Sequence, residues 1–168
     1  MIERLLQPVR ANHSEMEKYG RAVMPASGKP ADSFGEGWQC WYPLGTLPME
    51  AHLQIGLVEA NLLQPVIKLV ECHPTREEWV YAIDAPVIQV VALPESGQAG
   101  LADGSTARAI LLNPGEGFII RAGVWHAPAF PVNLTHAYYG FVLPAPSGDV
   151  KEVGLVSFKE DDWVRVNL

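Results

Sequence analysis

The chain has few cysteines, no cluster of basic residues and no long apolar run. Cys40 and Cys72 are its only cysteines and do not form a CxxC unit, which excludes a zinc ribbon and a thioredoxin-like motif. Twelve Lys and Arg residues stand against nineteen Asp and Glu, a formal charge of −7. Because no basic stripe could neutralise phosphates, we do not expect nucleic acid as a partner. No apolar run approaches the roughly 20 residues of a membrane span, and the first residues lack a signal-peptide pattern. We therefore expect no membrane contact and a cytoplasmic location.

The pattern that is present is a series of short strands. Apolar segments punctuated by Gly and Pro are typical of an all-β sandwich or barrel. The predicted strands cover about residues 51–59, 65–73, 78–83, 87–93, 107–112, 117–121, 124–130 and 135–143. A polar cap, an acidic first turn and a following glycine predict one short N-terminal helix over residues 12–20. No linker divides the chain, so we expect one domain over residues 1–168.

The most specific motif ends at a histidine. Gly115 is followed after five residues by Arg121, then by Gly123 and, three residues later, by His126. This spacing fits a strand, a tight turn that needs glycine at positive φ, and a second strand with an early histidine. We expect the side chain of His126 to point into the interior of a barrel.

A second motif upstream supplies more polar residues. Glu71 and His73 lie two residues apart and therefore share one face of a strand, while the thiol of Cys72 turns to the other face, where we expect it to pack. Glu78 follows after a four-residue gap. Together the two motifs resemble the paired signatures of the cupin barrel, with Glu71 in place of the usual first histidine. The fold class expected is all-β, a cupin-like β-barrel or double-stranded β-helix (jelly roll) with a short N-terminal helix.

Both motifs contribute to one cavity in such a barrel. The cavity would contain Glu71, His73, Glu78 and His126, a mixed nitrogen and oxygen set that suits Ni, Mn, Fe or Zn. The alternative is direct acid and base chemistry by His73 and Glu78 without a metal, because Glu71 interrupts the usual set of three histidines. The residues alone leave both interpretations open.

Arg108 is the first candidate for substrate binding. Strand alternation places it on the same face as Ile110 and Leu112. Its planar guanidinium matches a carboxylate, so Arg108 holds an acidic substrate or forms a structural ion pair with Glu71 or Glu78. These two interpretations stay open.

Two further positions are candidates for substrate binding. Arg121 occupies the position in the second motif where proline is usual. His136 shares a strand face with Tyr138, opposite to Tyr139, and we expect one of these two faces to line the cavity.

A longer series of motifs points to a particular family. Its elements are Tyr19-Gly20, Glu71-x-His73-Pro74, Val90-Val91-Ala92, Arg108-Ala109, Asn113 and Val124-Trp125-His126-x-Pro128. Over about residues 8–143 the chain resembles the ureidoglycolate lyase family. The resemblance implies a cupin-type barrel, usually a homodimer, that splits the small carboxylate ureidoglycolate into glyoxylate and urea in allantoin breakdown.

The chain departs from the family pattern at several polar positions. Family members commonly have a Tyr-His pair where this chain has Ile120 and Arg121, a second histidine at the position of Ala127, and glutamine at the position of Glu78. These changes keep two alternatives open. One is a metal-dependent cupin oxygenase or isomerase acting on another small carboxylate, and the other is a non-enzymatic cupin that binds a small molecule.

The lyase interpretation assigns a role to each site residue. Cleavage of a hemiaminal needs a base for the hydroxyl proton, an acid for the departing nitrogen and a group that holds the carboxylate. Glu78 or His73 would be the base, His126 the acid or a metal ligand, and Arg108 the carboxylate-binding residue.

Overall fold

Two β-sheets enclose the main apolar interior of the protein. The computed structural model describes residues 4–25, 29–35, 38–41, 43–47, 52–61, 66–132, 135–145, 153–159 and 163–168. Neighbouring strands of the first sheet are, in order, β18 (Val153–Ser157), β8 (Leu69–Cys72), β15 (Trp125–His126), β10 (Val87–Ala92), β13 (Arg108–Leu112) and β2 (Pro8–Arg10), and β16 (Phe130–Pro131) also pairs with β10.

The second sheet is antiparallel throughout. Its strands are, in order, β3 (Gly20–Val23), β14 (Gly117–Ile120), β9 (Glu78–Ala82), β17 (His136–Pro144) and β6 (Leu53–Asn61). A third sheet contains β1 (Arg4–Leu6), β19 (Val164–Val166) and β7 (Val66–Ile67). Two further pairs of strands are β4 (Ser33–Gly35) with β5 (Trp38–Cys40), and β11 (Pro94–Glu95) with β12 (Gln98–Ala102).

Side-chain alternation divides the apolar residues between two clusters. The inner cluster lies between the sheets and includes Val87, Val91, Ile110, Leu112, Val80, Phe118, Ile120 and Tyr139. The outer cluster packs the first sheet against β1 and β19 and includes Val70, Cys72, Ile88, Val90, Ala109, Trp125, Val164 and Val166. Because successive residues of a strand face opposite ways, β10 and β13 of the first sheet contribute to both clusters.

The predicted all-β barrel is confirmed, and each expected segment contains a strand, although the segments 65–73 and 124–130 each include parts of two short strands. The first residues of the segments predicted from 51 and from 65 lie outside the described residues. The predicted helix is only a single 3-10 turn, Ser14–Met16, capped by the side chain of His13. The connection from β2 to β3 spans only residues 11–19, and within it the chain makes this turn and buries Met16 and Tyr19. No helix among the described residues has the length and hydropathy needed to cross a membrane.

The turn before β15 depends on glycine. Gly123 has φ of 81°, as the sequence pattern predicts, and its N–H donates to the His73 carbonyl at 2.9 Å. This turn therefore joins the two motifs through the backbone.

We expect Gly123→Ala to lower the free energy of unfolding by about 1–2 kcal/mol, because an L-residue is strained at positive φ. Gly100→Ala in β12 is the matched control, since a Cβ there meets no atom within 4 Å and φ is outside the left-handed region. Urea unfolding of both variants measures the difference. Equal stabilities of the two variants would contradict the assigned turn.

Candidate active site

A buried carboxylate lies at the centre of the candidate site. Glu78 is the first residue of β9 and is only 7% exposed. Its Oε2 is 3.1 Å from Nε2 of His73 and 3.0 Å from Nε2 of His126. One ligand atom from each of the three residues falls within 4.8 Å of the other two. The structure therefore brings together three of the four residues predicted for the cavity.

The second strand of the glycine motif positions His126. In β15, Trp125 faces the outer cluster and is fully buried, so His126 faces the interior. His126 is opposite Val91 of β10 on one side and opposite Glu71 of β8 on the other. Its Nδ1 lies 3.1 Å from the carbonyl oxygen of Val124. Because a carbonyl only accepts, Nδ1 carries a proton and Nε2 is directed at Glu78.

His73 follows directly after β8 and has a neighbour that sequence reasoning missed. Arg76 is 8% exposed, and its Nη2 lies 3.5 Å from Nδ1 of His73. Its Nη1 donates to the carbonyl oxygen of Pro144 at the end of β17. A signal was available, because Arg76 is a cation three residues after His73 in the connection between two strands that carry site residues.

The three-residue group changes the acidity of its members. Burial alone would raise the pKa of Glu78, but the adjacent imidazoles of His126 and His73 outweigh it and lower that pKa to about 2. Burial acts to lower the pKa of His126, but the Glu78 carboxylate outweighs this effect and raises it. Both shifts favour a carboxylate on Glu78 and an imidazolium on His126 in the absence of a metal.

The same atoms also fit a metal ion. Oε2 of Glu78 and Nε2 of His126 are buried without an aligned hydrogen bond, although they lie 3.0 Å apart. Because the alignment is too poor for a hydrogen bond between them, either atom is available to a third partner such as an ion. Two imidazoles and a carboxylate are suitable ligands for Ni, Mn, Fe or Zn.

Glu71 is near the group but outside it. Its Oε1 lies 3.9 Å from Nε2 of His126, and its side chain is 40% exposed. The compact group of ligand atoms among the described residues contains His73, Glu78 and His126 without Glu71. Glu71 thus lies at the edge of the three-residue group, and its place in a four-ligand set stays a prediction.

The two candidate arginines line a neighbouring cavity. This cavity has a volume of about 480 Å³ and is lined by Ser14, Glu15, Glu17, Lys18, Arg108 and Arg121. Arg108 donates to the carbonyl of Ala107 at 2.8 Å, and its Nε lies 3.8 Å from Oε2 of Glu15. Arg121 donates through Nε to the carbonyl of Glu17 at 3.1 Å. The acidic partner found for Arg108 is thus Glu15 of the 3-10 turn rather than Glu71 or Glu78.

Arg108 nevertheless lies close to the site along the sheet. Val91 is opposite Arg108 on one side and opposite His126 on the other. Two strand spacings separate the Cα atoms of Arg108 and His126, a distance of roughly 10 Å. A small substrate at His126 would therefore be within reach of a reoriented Arg108 side chain.

His136 does not line the cavity. The face of β17 that includes Tyr139 packs in the inner cluster, so His136 and Tyr138 lie on the other face, and His136 is exposed. His136 therefore lies away from the inner cluster, and its role in substrate binding stays a prediction. Burial raises the pKa of Tyr139 to about 12, and the nearby charges of Glu78 and Glu71 add to the shift. Tyr139 is thus a polar wall residue of the site that the strand pattern alone could not select.

Cys72 faces the outer cluster, as predicted. Burial raises the pKa of its thiol to about 11, so it remains a protonated packing residue.

A larger cavity lies on the outer face of the second sheet. Its volume is about 600 Å³, and its lining is almost wholly apolar: Val23, Trp41, Leu44, Gly45, Thr46, Leu47, Leu53, Ile55, Trp79, Gly115, Ile119 and Val142. None of these side chains can serve as a general acid or base at neutral pH. The chemistry therefore belongs to the inner site.

The architecture and the site together define the class of protein. Two facing sheets with a buried His/Glu/His group at one end form a cupin-type barrel. The family model for ureidoglycolate lyase matches residues 4–164, so the chain belongs to the ureidoglycolate lyase family. No curated protein matches the chain significantly in sequence.

Solved structures with similar folds share little sequence with this chain. RmlC from Streptococcus suis in complex with dTDP-D-xylose is 12% identical with a TM-score of 0.42, over 58% of this chain and 46% of that chain. Oxalate decarboxylase from Lactobacillus farciminis, in a formate complex, is 19% identical with a TM-score of 0.42, over 64% of this chain and 27% of that chain. The chain thus spans less than half the length of these two proteins.

The coupled pair predicts a pH dependence of stability for the metal-free protein. The lowered pKa of Glu78 contributes stability that is present above about pH 4.5 and is lost as the pH falls through about 2. The raised pKa of His126 contributes stability below about pH 6.5 that is lost as the pH rises through the folded-state value. Stability from the pair is therefore greatest between about pH 4.5 and 6.5.

We expect Glu78→Gln to reverse this dependence near neutrality, because His126 then loses its counter-charge and burial disfavours its protonation. In the presence of a chelator, the thermal unfolding midpoint of the variant should be lower at pH 5.5 than at pH 7.5. The midpoint of the unmodified protein should be higher at pH 5.5 than at pH 7.5. Glu59→Gln, at an exposed carboxylate of β6, is the control and should follow the unmodified protein. Parallel curves for all three proteins would disprove the coupling.

Proposed function

We propose that this protein cleaves ureidoglycolate to glyoxylate and urea. The observation that carries the proposal is the buried Glu78 carboxylate with an imidazole on each side, at 3.0 and 3.1 Å. Such a group offers a proton acceptor and proton donors in one dry site, which the cleavage of a hemiaminal requires. Membership of the ureidoglycolate lyase family supports the choice of substrate.

The reaction is a balanced elimination. The hydroxyl proton of ureidoglycolate leaves to a base, and the electrons of the O–H bond form the carbonyl of glyoxylate. The C–N bond breaks, and its electrons remain on the urea nitrogen, which takes a proton from an acid. One proton enters the site and one proton leaves it, so no oxidant or reductant is consumed.

Glu78 and His126 supply these two proton transfers. Glu78 accepts the hydroxyl proton, and the His126 imidazolium gives its Nε2 proton to the departing nitrogen. Loss of that proton removes the positive charge that lowers the pKa of Glu78, so Glu78 becomes a stronger base as His126 acts as the acid. The proton on Glu78 then returns across 3.0 Å to Nε2 of His126, which restores the site.

A divalent metal is compatible with the same residues. His73, Glu78 and His126 would hold Ni, Mn, Fe or Zn, and the ion would supply Lewis-acid stabilisation of the oxygen that develops negative charge. Activity before and after chelation separates this form of the proposal from the metal-free form.

A second candidate function is an oxygenase. Two histidines and one carboxylate are the ligand set of non-haem Fe(II) oxygenases, and His73, Glu78 and His126 supply that set. Iron that copurifies with the protein, together with oxygen consumption in the presence of a small carboxylate, would favour it. A homodimer and a cytoplasmic location stay predictions.

We expect His126→Ala to lower kcat for glyoxylate and urea release by about 10²–10⁴, the range for loss of a positioned general acid. The exposed His52 provides a matched control, and His52→Ala should retain the activity of the unmodified protein. Both products are followed with racemic ureidoglycolate before and after chelation, and circular dichroism checks folding. Unchanged turnover in folded His126→Ala would remove the assignment.

We expect Arg108→Ala to lower kcat/KM about 10–100-fold, mainly through KM, because a charge-assisted hydrogen bond to the substrate carboxylate is lost. Arg108→Lys should recover only part of the affinity, since an ammonium lacks the planar fork. Lys29→Gln removes one cation from an exposed pair with Asp32 and controls for net charge. Equal KM values in Arg108→Ala and Lys29→Gln would exclude Arg108 as the carboxylate-binding residue.

A further inference from the structure

Arg76 is fixed on two sides beside the candidate site. Its Nη1 donates to the carbonyl of Pro144, which ends β17, and its Nη2 lies 3.5 Å from Nδ1 of His73. The residue is 8% exposed, and the charge of Glu78 acts on it through space. Held in this way, the planar guanidinium presents the N–H groups of Nη2 to Nδ1 of His73.

The N–H donors of Arg76 determine which nitrogen of His73 carries the proton. A guanidinium has N–H donors and no acceptor, so Nδ1 of His73 must present its lone pair. A neutral imidazole has one N–H, which is then on Nε2, the atom that lies 3.1 Å from Oε2 of Glu78. His73 thus carries its proton on the nitrogen that lies nearest to the carboxylate.

His126 is held in the opposite arrangement. Its Nδ1 faces the Val124 carbonyl at 3.1 Å and must be the N–H, because a carbonyl only accepts. Its Nε2 is therefore the nitrogen that can release and regain a proton opposite Glu78. Two histidines that look equivalent around one carboxylate have different backbone and side-chain partners at Nδ1.

We propose that Arg76 is a positioning residue that fixes His73 as the Nε2–H tautomer, so that the N–H group of His73 faces the Glu78 carboxylate. This inference depends on the proposed site but not on the identity of its substrate. It also has a consequence for metal binding. His73 can offer the Nε2 lone pair to an ion only if Nδ1 takes the proton, and an Nδ1–H would face the donors of Arg76. Arg76 therefore weakens metal binding through His73.

The direct test is the ¹⁵N spectrum of the histidine side chains in the metal-free protein at pH 8, with the His73 signals assigned by their loss in His73→Gln. We expect an unprotonated Nδ1 and a protonated Nε2 for His73. Arg76→Met keeps most of the side-chain volume but removes the donor, and should shift His73 towards the Nδ1–H form. Arg76→Lys restores a donor and should restore the Nε2–H form.

Metal titration provides a second readout. Calorimetry with Zn²⁺ alone should show roughly tenfold tighter binding to Arg76→Met than to the unmodified protein or Arg76→Lys, a change of the size seen for groups that contact metal ligands. An Nδ1–H tautomer of His73 in the unmodified protein would overturn the proposal, whether or not Arg76→Met folds. The same tautomer in folded Arg76→Met, or equal Zn²⁺ affinities, would also overturn it.

The outcome is independent of the lyase assay. If the tautomer depends on Arg76 but the unmodified protein releases no glyoxylate, the role of Arg76 stands and the proposed reaction fails. If glyoxylate is released and the tautomer does not depend on Arg76, the reaction stands and the role of Arg76 fails.

Discussion

The burial of the Glu78 carboxylate is the constraint on which the rest of the site depends. An isolated charge in a protein interior costs several kcal/mol, and a pair of charges is tolerated only when its geometry is good. Glu78 belongs to the second sheet, whereas its two imidazole partners come from the first sheet, one after β8 and one in β15. The requirement to neutralise this carboxylate therefore fixes how the two sheets meet at this end of the barrel. It also explains why the turn at Gly123 is bonded to the backbone of His73, because both histidines must reach the same oxygen atom.

The fold was predictable because its determinants are local. Alternation within short segments identifies the strands, and the positive φ at Gly123 follows from the spacing of the motif that ends at His126. The N-terminal segment was less predictable, since acidic and polar residues at 12–20 favour a helix while Met16 and Tyr19 are drawn into the core. Tertiary packing overrides local propensity in such a short connection.

The candidate site was predictable only in part. His73, Glu78 and His126 lie in motifs whose spacing fixes their strand face, so their convergence follows once the barrel closes. Arg108 has the predicted face, but its long side chain turns to Glu15, a contact that strand alternation cannot specify. Arg76 was missed because it lies in a connection between strands, where side chains do not alternate regularly between two faces. Its importance comes from its contact with His73, which only the folded structure brings about.

The positions at which the chain departs from the family pattern differ in their distance from the candidate site. Ala127 packs in the outer cluster, and Arg121 lies at the surface, so neither contributes to the inner wall beside Glu78. Ile120 is different, because it is buried in the inner cluster and lies directly opposite Glu78 across the β14–β9 ladder. An apolar side chain there keeps water from the carboxylate, and a carboxylate in place of an amide at position 78 gives the site a group that can take up a proton. The two changes act together: the apolar neighbour makes the charge on Glu78 costly, and the two histidines are the partners that offset this cost.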